Sequence, residues 1–423
     1  MPDRVDVLVV GAGTAGAAAA WRAATRGMKV LCVDRGPLDR AGAHWRNGVS
    51  GEAFDEAAVP WPVGPERCGD AGRFHLVAGW GPDRVVVEGH GVLEVDMRRL
   101  VQRLQRRAAE AGATLVGDVS VDWVDDDRVT TSAGVVRAGA VIDASGLTGA
   151  RLLRPPRTLR RDLCAAAQAV YDVDDRADAL GFLDAHEVAE GETLCFTGVA
   201  GGYSILNVRV HGDEVAILTG SIPADGHRSG HGMIEDFVAA QPWIGARRSM
   251  GRRAIPLGRP HDELARGRVA AIGDAARQVF SAHGSGIGPG MVAARTLVDT
   301  LADGGTPDDW AVRWMRERGG LFAAYDLFRR FSQTLTVADL TDLMGAGLID
   351  GETAAAAMAQ RLPRPAPGRA LALAPALARA PGVVGRLAAV GARMAALQAL
   401  YAAYPRPGAR GHWAAAVARA AGD

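Results

Sequence analysis

The chain has 423 residues, 48% of them hydrophobic, and its 48 basic and 48 acidic side chains leave no formal net charge. That length implies two or three domains or one large interleaved α/β body, and the apolar content argues against disorder over most of it. Zero net charge argues against a nucleic-acid binder steered by phosphate charge.

The cationic side chains are arginines except for Lys29, the only lysine. Cys32, Cys68, Cys164 and Cys195 show no CxxC pair and no histidines at zinc-ligand spacing. No metal site is expected, and Cys32 reads as a small buried thiol in an apolar strand. The opening MPDRVDVLVV passes straight into a strand without a basic leader or cleavage site. No uninterrupted apolar run approaches the ~18 residues that cross a bilayer. The expectation is a cytoplasmic protein with no transmembrane segment.

Val5–Val10 alternates little and is β-branched, as a buried parallel strand is. Gly11-Ala12-Gly13-Thr14-Ala15-Gly16 then opens an alanine-rich helix to about Arg26, Gly27 stops it, and a second apolar strand runs from Lys29 to Asp34. In such a loop Gly11 makes the tight turn, Gly13 lets backbone approach a pyrophosphate, and Gly16 packs helix on strand. The helix N-terminus supplies free N–H groups and partial positive charge. Asp34 stands where a carboxylate binds ribose hydroxyls, which suits FAD or NAD rather than NADP.

A loop and short helix follow in HWRNGVSGEAFDEAAVPWP, then candidate strands in FHLVAG and DRVVVEGHGVLEV. The stretch VDMRRLVQRLQRRAAEAGATLV predicts a helix with Leu100, Leu104 and Ala108 on one face. A meander comes next, VSVDWV, VTTS and VVRAGAVIDASG. Over 160–255 the candidate antiparallel strands are LCAAAQAVYDV, ETLCFTGVAGG, YSILNVRV and EVAILTGSIP. Late in the chain, VAAIGDAARQVFSAHGSGIGPGMVAAR reads as strand, Asp turn, glycine-rich loop and helix. From 305 onward the pattern is helical, with the Pro- and Ala-rich RLPRPAPGRALALAPALARAP introducing the tail. Basic amphipathic helices there allow peripheral membrane contact, against the plainer reading of a helical cap.

Over roughly residues 5–300 this order resembles the flavoprotein superfamily of aromatic-ring hydroxylases, geranylgeranyl reductases and flavin-dependent halogenases. The residues that carry the likeness are Gly11–Gly16, Arg46-Asn47-Gly48-Val49, Asp143–Gly146 and Gly273–Ala275. The resemblance implies an α/β protein with an interleaved Rossmann-like FAD-binding domain, an antiparallel-sheet substrate domain and a C-terminal helical region. The boundaries it implies are 1–160 with 255–304, then 161–254, then 305–423. It also implies bound FAD, with Gly11, Gly13, Thr14, Ala15, Gly16, Asp34 and Arg35 at the adenosine end. Arg46, Gly48 and Val49 would meet the flavin edge, and Asp274 the ribityl–pyrophosphate stretch. Gly284, Gly286 and Ile287 would pass under the ring, with the positive end of the helix near Pro289 aimed at its N1–C2=O edge. Family members carry an arginine toward the pyrophosphate where this chain has Met97; Arg98 or Arg46 compensates.

His283, inside the late loop, and His44, beside the flavin-edge loop, are candidates for acid, base or ring-stacking roles. The first functional expectation is a monooxygenase hydroxylating a small hydrophobic, aromatic substrate. The alternative is a reductase of carbon–carbon double bonds, like the geranylgeranyl reductases. NADH, NADPH or a separate flavin reductase would supply electrons, and the substrate could be free, carrier-bound or part of a peptide. A catalytically silent prenyl- or flavin-binding protein is the reading from another class. Halogenation is disfavoured, because family halogenases depend on an active-site lysine and Lys29 sits toward the adenosine end.

Overall fold

The computed structural model of the chain describes residues 1–70, 72–363, 378 and 380–423. Its first strand, Arg4–Val10, lies between Gly134–Asp143 and Val30–Val33 and runs parallel to both. With helices available to cover both faces, a near-continuous run of valine and leucine can stay buried there. The whole sheet runs Ala265–Arg266, Val269–Ala271, Gly134–Asp143, Arg4–Val10, Val30–Val33, Thr114–Val116, and the meander strands Val121–Asp125 and Arg128–Thr131 hang from Gly134–Asp143. Strand Val269–Ala271 thus returns, more than 250 residues after the chain began, to within one strand of Arg4–Val10.

The helix Met97–Glu110 starts where expected. Asp96 caps it by accepting the Arg99 N–H at 3.0 Å, and Met97, Leu100, Leu104 and Ala108 are buried. Opposite the opening helix Thr14–Thr25 lies the late helix Ile287–Ala302, tied to it by the Arg22–Asp299 ion pair at 2.7 Å.

A second, seven-stranded sheet runs Ile244–Pro256, Leu163–Val173, Glu214–Ser221, Ile205–His211, Thr193–Thr197, Phe74–Ala78, Arg84–Val87. Two features depart from expectation. The hairpin Phe74–Val87 belongs to this sheet, so a boundary at 161–254 leaves out two of its strands. The edge strand Ile244–Pro256 is absent from the expected set because IGARRSMGRRAIP is arginine-rich; on an edge, charged side chains reach water and no apolar alternation is needed. A small third sheet, Arg46–Ser50 with Val92–Asp96 and Arg67–Asp70, stands beside the first.

The C-terminal region is helical as expected, with helices Pro307–Trp314, Gly320–Ser332, Val337–Gly345, Gly351–Met358, Pro381–Ala402 and Arg410–Ala421. A π-helical turn, Met315–Gly319, joins the first two. Gly319 and Gly320 let the last long helix close in: a Cβ on Gly319 would lie 2.4 Å from the Tyr401 ring. Most of the Pro- and Ala-rich stretch lies outside the described residues. The expectation of no membrane-length segment is revised. Pro381–Ala402 is 22 residues long with mean hydropathy 1.3, enough to cross a membrane by length and composition, though a core helix of a soluble protein can pass the same test. Arg386 and Arg393 interrupt the run in sequence, and averaging over a helix absorbs them. Its Val383, Val384, Leu397 and Tyr401 are buried against the rest of the protein.

The helical region is locked to the second sheet by a buried charge cluster. Arg329, 1% exposed, reaches Asp162 at 3.0 Å, Asp326 at 3.1 Å and Gln333 at 2.6 Å. Arg329→Ala should lower unfolding free energy by about 3 kcal/mol, since it takes the buried cation from Asp162 and leaves Asp326 with Arg330 alone. Arg106→Ala, whose partner Glu110 is exposed, should cost under ~1 kcal/mol. Equal denaturant midpoints for the two variants would contradict this.

Candidate functional site

The two glycine-rich loops meet. A Cβ on Gly273 would lie 3.3 Å from the Ala15 Cβ, and one on Gly290 would lie 3.2 Å from the same atom. On the other side of the opening loop, Ala144 fills the space left by Gly11 and Gly16: a Cβ on Gly11 would stand 2.5 Å from the Ala144 carbonyl oxygen, and one on Gly16 1.8 Å from the Gly11 carbonyl oxygen. Asp143 makes this approach possible. Buried at 1% exposure, it accepts the Ser145 and Leu152 N–H groups at 3.1 and 2.9 Å and so fixes the turn that presents Ala144. The DASG run is therefore a packing device for the first loop.

Gly13 differs. A Cβ there would meet nothing closer than Gly42 Cα at 3.4 Å, ordinary contact. The protein itself does not demand glycine at 13, so the demand comes from what approaches that backbone.

Both helices that start at these loops are uncapped. Gly13 and Gly286 occupy their N-cap positions without a side-chain cap, and neither first turn holds an acidic residue. Elsewhere in the chain, the helices at 307, 337 and 351 each carry a complete capping box. Two free N-termini are sites for negative charge or carbonyl oxygen. Asp34, at the end of Val30–Val33, is held by the Ala12 N–H at 2.8 Å and the Gly36 N–H at 3.0 Å, beside the first of them. Two buried donors near the groove, Trp45 Nε1 and Gln278 Nε2, have no hydrogen-bond partner among the described residues. The residues present fit FAD: a long ligand with an anionic middle and a polar ring lies naturally between two helix N-termini.

The structure brings Asp274 and the late loop together, since a Cβ on Gly286 would lie 3.1 Å from Asp274 Oδ1. Asp274 and His283 are crowded by protein yet keep a face open to solvent, as residues on the wall of a deep groove do. Burial raises the Asp274 carboxyl above the usual range, with the positive charge of Arg253 opposing. Burial lowers the His283 imidazole to about 4, opposed by its hydrogen bond to the Ala357 carbonyl. His283 donates from Nε2 to that oxygen at 3.2 Å and stacks 5.0 Å from Phe280, so it ties helix Gly351–Met358 to the loop. Gly284 approaches Ile255 and the Tyr203 hydroxyl at 3.5 and 3.8 Å, measured from a Cβ built on it, and Ile287 begins the helix.

Other expected contacts fall differently. Arg46 pairs with Glu214 through both guanidinium nitrogens and turns into the seven-stranded sheet, so it is not the compensating cation. Arg35 donates to the Thr148 carbonyl at 2.8 Å and its hydroxyl at 3.0 Å, bracing the turn after Asp143. Gly48 and Val49 lie in strand Arg46–Ser50, with Val49 buried. His44 is exposed on the loop that follows Gly42. Arg98 is exposed at the start of helix Met97–Glu110, on the face whose Val101 abuts Gly42 and whose Gln105 reaches the Ala12 carbonyl at 2.9 Å. Lys29 is exposed at the beginning of the second strand, opposite the end that leads to Asp34.

Sequence reasoning missed an apolar wall beside the late loop. Cys164, Ile222, Leu257 and Val279 are buried there with Trp45, Tyr203 and Ile255 packed against them. Tyr203 donates to the Ser281 carbonyl at 2.9 Å. Burial raises its phenol well above 10 and pushes the Cys164 thiol up to about 12, so both hold their protons at neutral pH. The strand patterns carried these residues, but only the sheet places them together. Behind the late helix, a cavity of about 860 Å³ opens among Ser50, Ala53, Pro289, Arg318, Leu321 and Leu362.

A fold with FAD-type loops at both ends of one groove defines a class: the chain is an FAD-dependent oxidoreductase, similar to geranylgeranyl reductases and to flavin monooxygenases. Residues 6–51 match the family model described as FAD dependent oxidoreductase. The chain is 25% identical to the digeranylgeranylglycerophospholipid reductase of Sulfolobus acidocaldarius, across 97% of this chain and 96% of that protein. It is 26% identical to the menaquinone reductase of Mycolicibacterium smegmatis, across 82% and 88%. Among solved structures, a geranylgeranyl bacteriochlorophyll reductase-like protein from Thermoplasma acidophilum superposes with TM-score 0.70 at 18% identity, covering 92% of this chain and 99% of that one. A probable FAD-dependent monooxygenase from Pseudomonas aeruginosa shares the fold at TM-score 0.57 and 17% identity, covering 82% and 99%.

Gly13→Ala should fold normally and lose most of its bound FAD, whereas Gly16→Ala should fail to fold. Flavin absorbance per protein and far-ultraviolet circular dichroism test both, and a yellow, fully loaded Gly13→Ala protein contradicts the assignment. Asp34→Ala should also fold and release FAD on gel filtration.

For the His283 linkage, the unfolded imidazole takes its proton near 6.5 and the folded one near 4. The unfolded chain binds more protons in between, so this group's contribution to stability falls as pH drops through that window. Urea midpoints of His283→Gln should change less between pH 7 and 5 than those of the wild type.

Proposed function

We propose that this protein is an FAD-dependent reductase that adds two hydrogens across a carbon–carbon double bond in a neutral, hydrophobic chain. The observation that carries this reading is the wall beside the late loop: it is apolar, and burial drives its ionisable groups toward their neutral forms. His283 is unprotonated, Tyr203 and Cys164 are protonated, and Asp274 is shifted toward its neutral form. Such a surface favours an uncharged hydrocarbon, since desolvating a charged group against apolar side chains is costly. Relatives named as reductases of digeranylgeranylglycerophospholipid and of menaquinone, matching over most of this chain, support the same reading and move the monooxygenase expectation to second place.

Reduced FAD, when bound, supplies the hydride equivalent. The chain's own residues do the rest. Gly11, Gly13, Asp34 and Asp274 would hold the cofactor's length. The free N-terminus of helix Ile287–Ala302 favours negative charge at the ring edge. Ile255, Leu257 and Val279 exclude water from the reacting carbons, and Tyr203, its hydroxyl donated to the Ser281 carbonyl, braces the late loop beside them. A cytoplasmic setting, a hydrophobic or carrier-bound substrate and electrons from NADH, NADPH or a partner reductase belong to this proposal.

The experiment is anaerobic turnover of the photoreduced enzyme with geranylgeranyl diphosphate or menaquinone, followed by mass spectrometry. The expected product carries two added hydrogens per double bond and needs no oxygen. A product with one added oxygen atom, formed only in air, would overturn the reductase reading and restore hydroxylation.

A further inference from the structure

The edge strand Ile244–Pro256 carries four arginines on its exposed stretch, and three lean on groups of their own sheet or its covering helix. Arg248 meets Asp172 at 2.5 Å and Asp213 at 2.9 Å, Arg252 reaches His231 Nε2 at 2.6 Å, and Arg247 lies 3.7 Å from the Met250 sulfur. Arg253 alone crosses to the other domain, where it donates to the Gly42 carbonyl. No carboxylate lies within ion-pair distance of it among the described residues; the acid it acts on electrostatically is Asp274, on the cofactor side of the groove.

Alternation along a strand puts Gly251, Arg253 and Ile255 on one face. That face runs along the groove. Gly251 abuts Trp45, with 3.1 Å from its built Cβ to the Trp45 Cβ, Arg253 meets Gly42, and Ile255 meets Gly284 of the late loop. Gly42 is itself pressed against the first loop, its Cα 3.4 Å from the Cβ position of Gly13, and its own Cβ position 3.8 Å from the Thr14 N–H nitrogen. The guanidinium therefore stands one residue away from the uncapped helix N-terminus, on the groove side. Trp45 Nε1, a buried donor without a partner among the described residues, belongs to the same patch.

We propose that Arg253, supplied by the substrate-domain sheet, is the cation that clamps the cofactor's pyrophosphate against the Gly13–Thr14 helix start. This rests on the FAD assignment and goes beyond it. The position at which the superfamily places an arginine holds buried Met97, and Arg46 is taken by Glu214. A guanidinium suits the task because its forked N–H groups match phosphate oxygens. The consequence is mechanical as well as electrostatic. A diphosphate held between Gly13 on one domain and Arg253 on the other makes the cofactor part of the domain interface.

The test is equilibrium titration of apo-protein with FAD, ADP and riboflavin, on wild type, Arg253→Ala, Arg253→Gln and the control Arg252→Ala. Loss of a charge-assisted contact should weaken FAD and ADP about tenfold or more in both Arg253 variants. Riboflavin, which lacks the diphosphate, should bind all four proteins alike, and Arg252→Ala should match wild type throughout. Hydrogen exchange adds a reading independent of affinity: saturating ADP should protect strand 244–256 in wild type and not in Arg253→Gln. Undiminished FAD and ADP affinity in the Arg253 variants overturns the proposal, as does an equal loss of riboflavin binding, which would mark a merely structural arginine. Failure of wild type itself to bind FAD would instead overturn the cofactor assignment on which the clamp depends.

Discussion

Backbone meets backbone at the start of this protein with no room for a single methyl group. The Gly11 carbonyl, the Gly16 Cα and the turn at Ala144 occupy one small volume, and a Cβ at Gly16 would sit 1.8 Å from the Gly11 oxygen, far inside van der Waals contact. Because the opening helix can come this close, its N-terminus points out of the sheet, uncapped, at the mouth of the groove. Ala15, beside Gly16 in the same first turn, is then free to receive Gly273 and Gly290 of the late segment. One contact of small residues thus sets both the direction of the first helix dipole and the place where the chain must return.

That return explains the interleaving. The second sheet is inserted between the two halves of the first, so its edge strand enters the cofactor domain just before Val269–Ala271 pairs with Gly134–Asp143. Strand Ile244–Pro256 consequently has two lives. Along one edge it pairs with Leu163–Val173, and through one face it looks across the groove at Gly42, Trp45 and Gly284. The helical region closes the opposite side, with Arg329 holding Asp162 and His283 bonded to Ala357. Charged pairs that are desolvated in this way stabilise little on balance, yet they fix which elements adjoin, since a stranded partner is costly.

The neutral chemistry of the groove follows from packing. Cys164, Tyr203 and His283 are ordinary ionisable groups by composition, and burial is the largest cause driving each toward its uncharged form. A site that suppresses charge on its walls while offering helix N-termini at its ends separates two environments, one suited to an anionic, polar cofactor and one suited to apolar groups. His283 illustrates the difference between a chemically suggestive residue and its use. Its sequence position inside a glycine loop suggested acid or base work, but its Nε2–H is committed to a carbonyl of a packing helix.

Local patterns by themselves determined the parallel first sheet, the two glycine-rich loops, the acid at the end of the second strand and the helical tail. Each rests on residue types whose preference is short-range: β-branched runs, glycines where backbone must come close, an acid at a strand end. Three things were decided only by tertiary structure. The hairpin Phe74–Val87 joined the distant sheet through pairing with Thr193–Thr197, a partner that no local pattern names. Arg46 turned to Glu214 instead of the cofactor, because an arginine takes whichever carboxylate the fold brings to it. Arg253 met Gly42 across 211 residues of chain, on a strand whose arginines look alike in sequence and separate only by which face each occupies. Long-range contacts of charged side chains have no periodicity to betray them, so the pattern could show what the groove is made of but not which cation guards it.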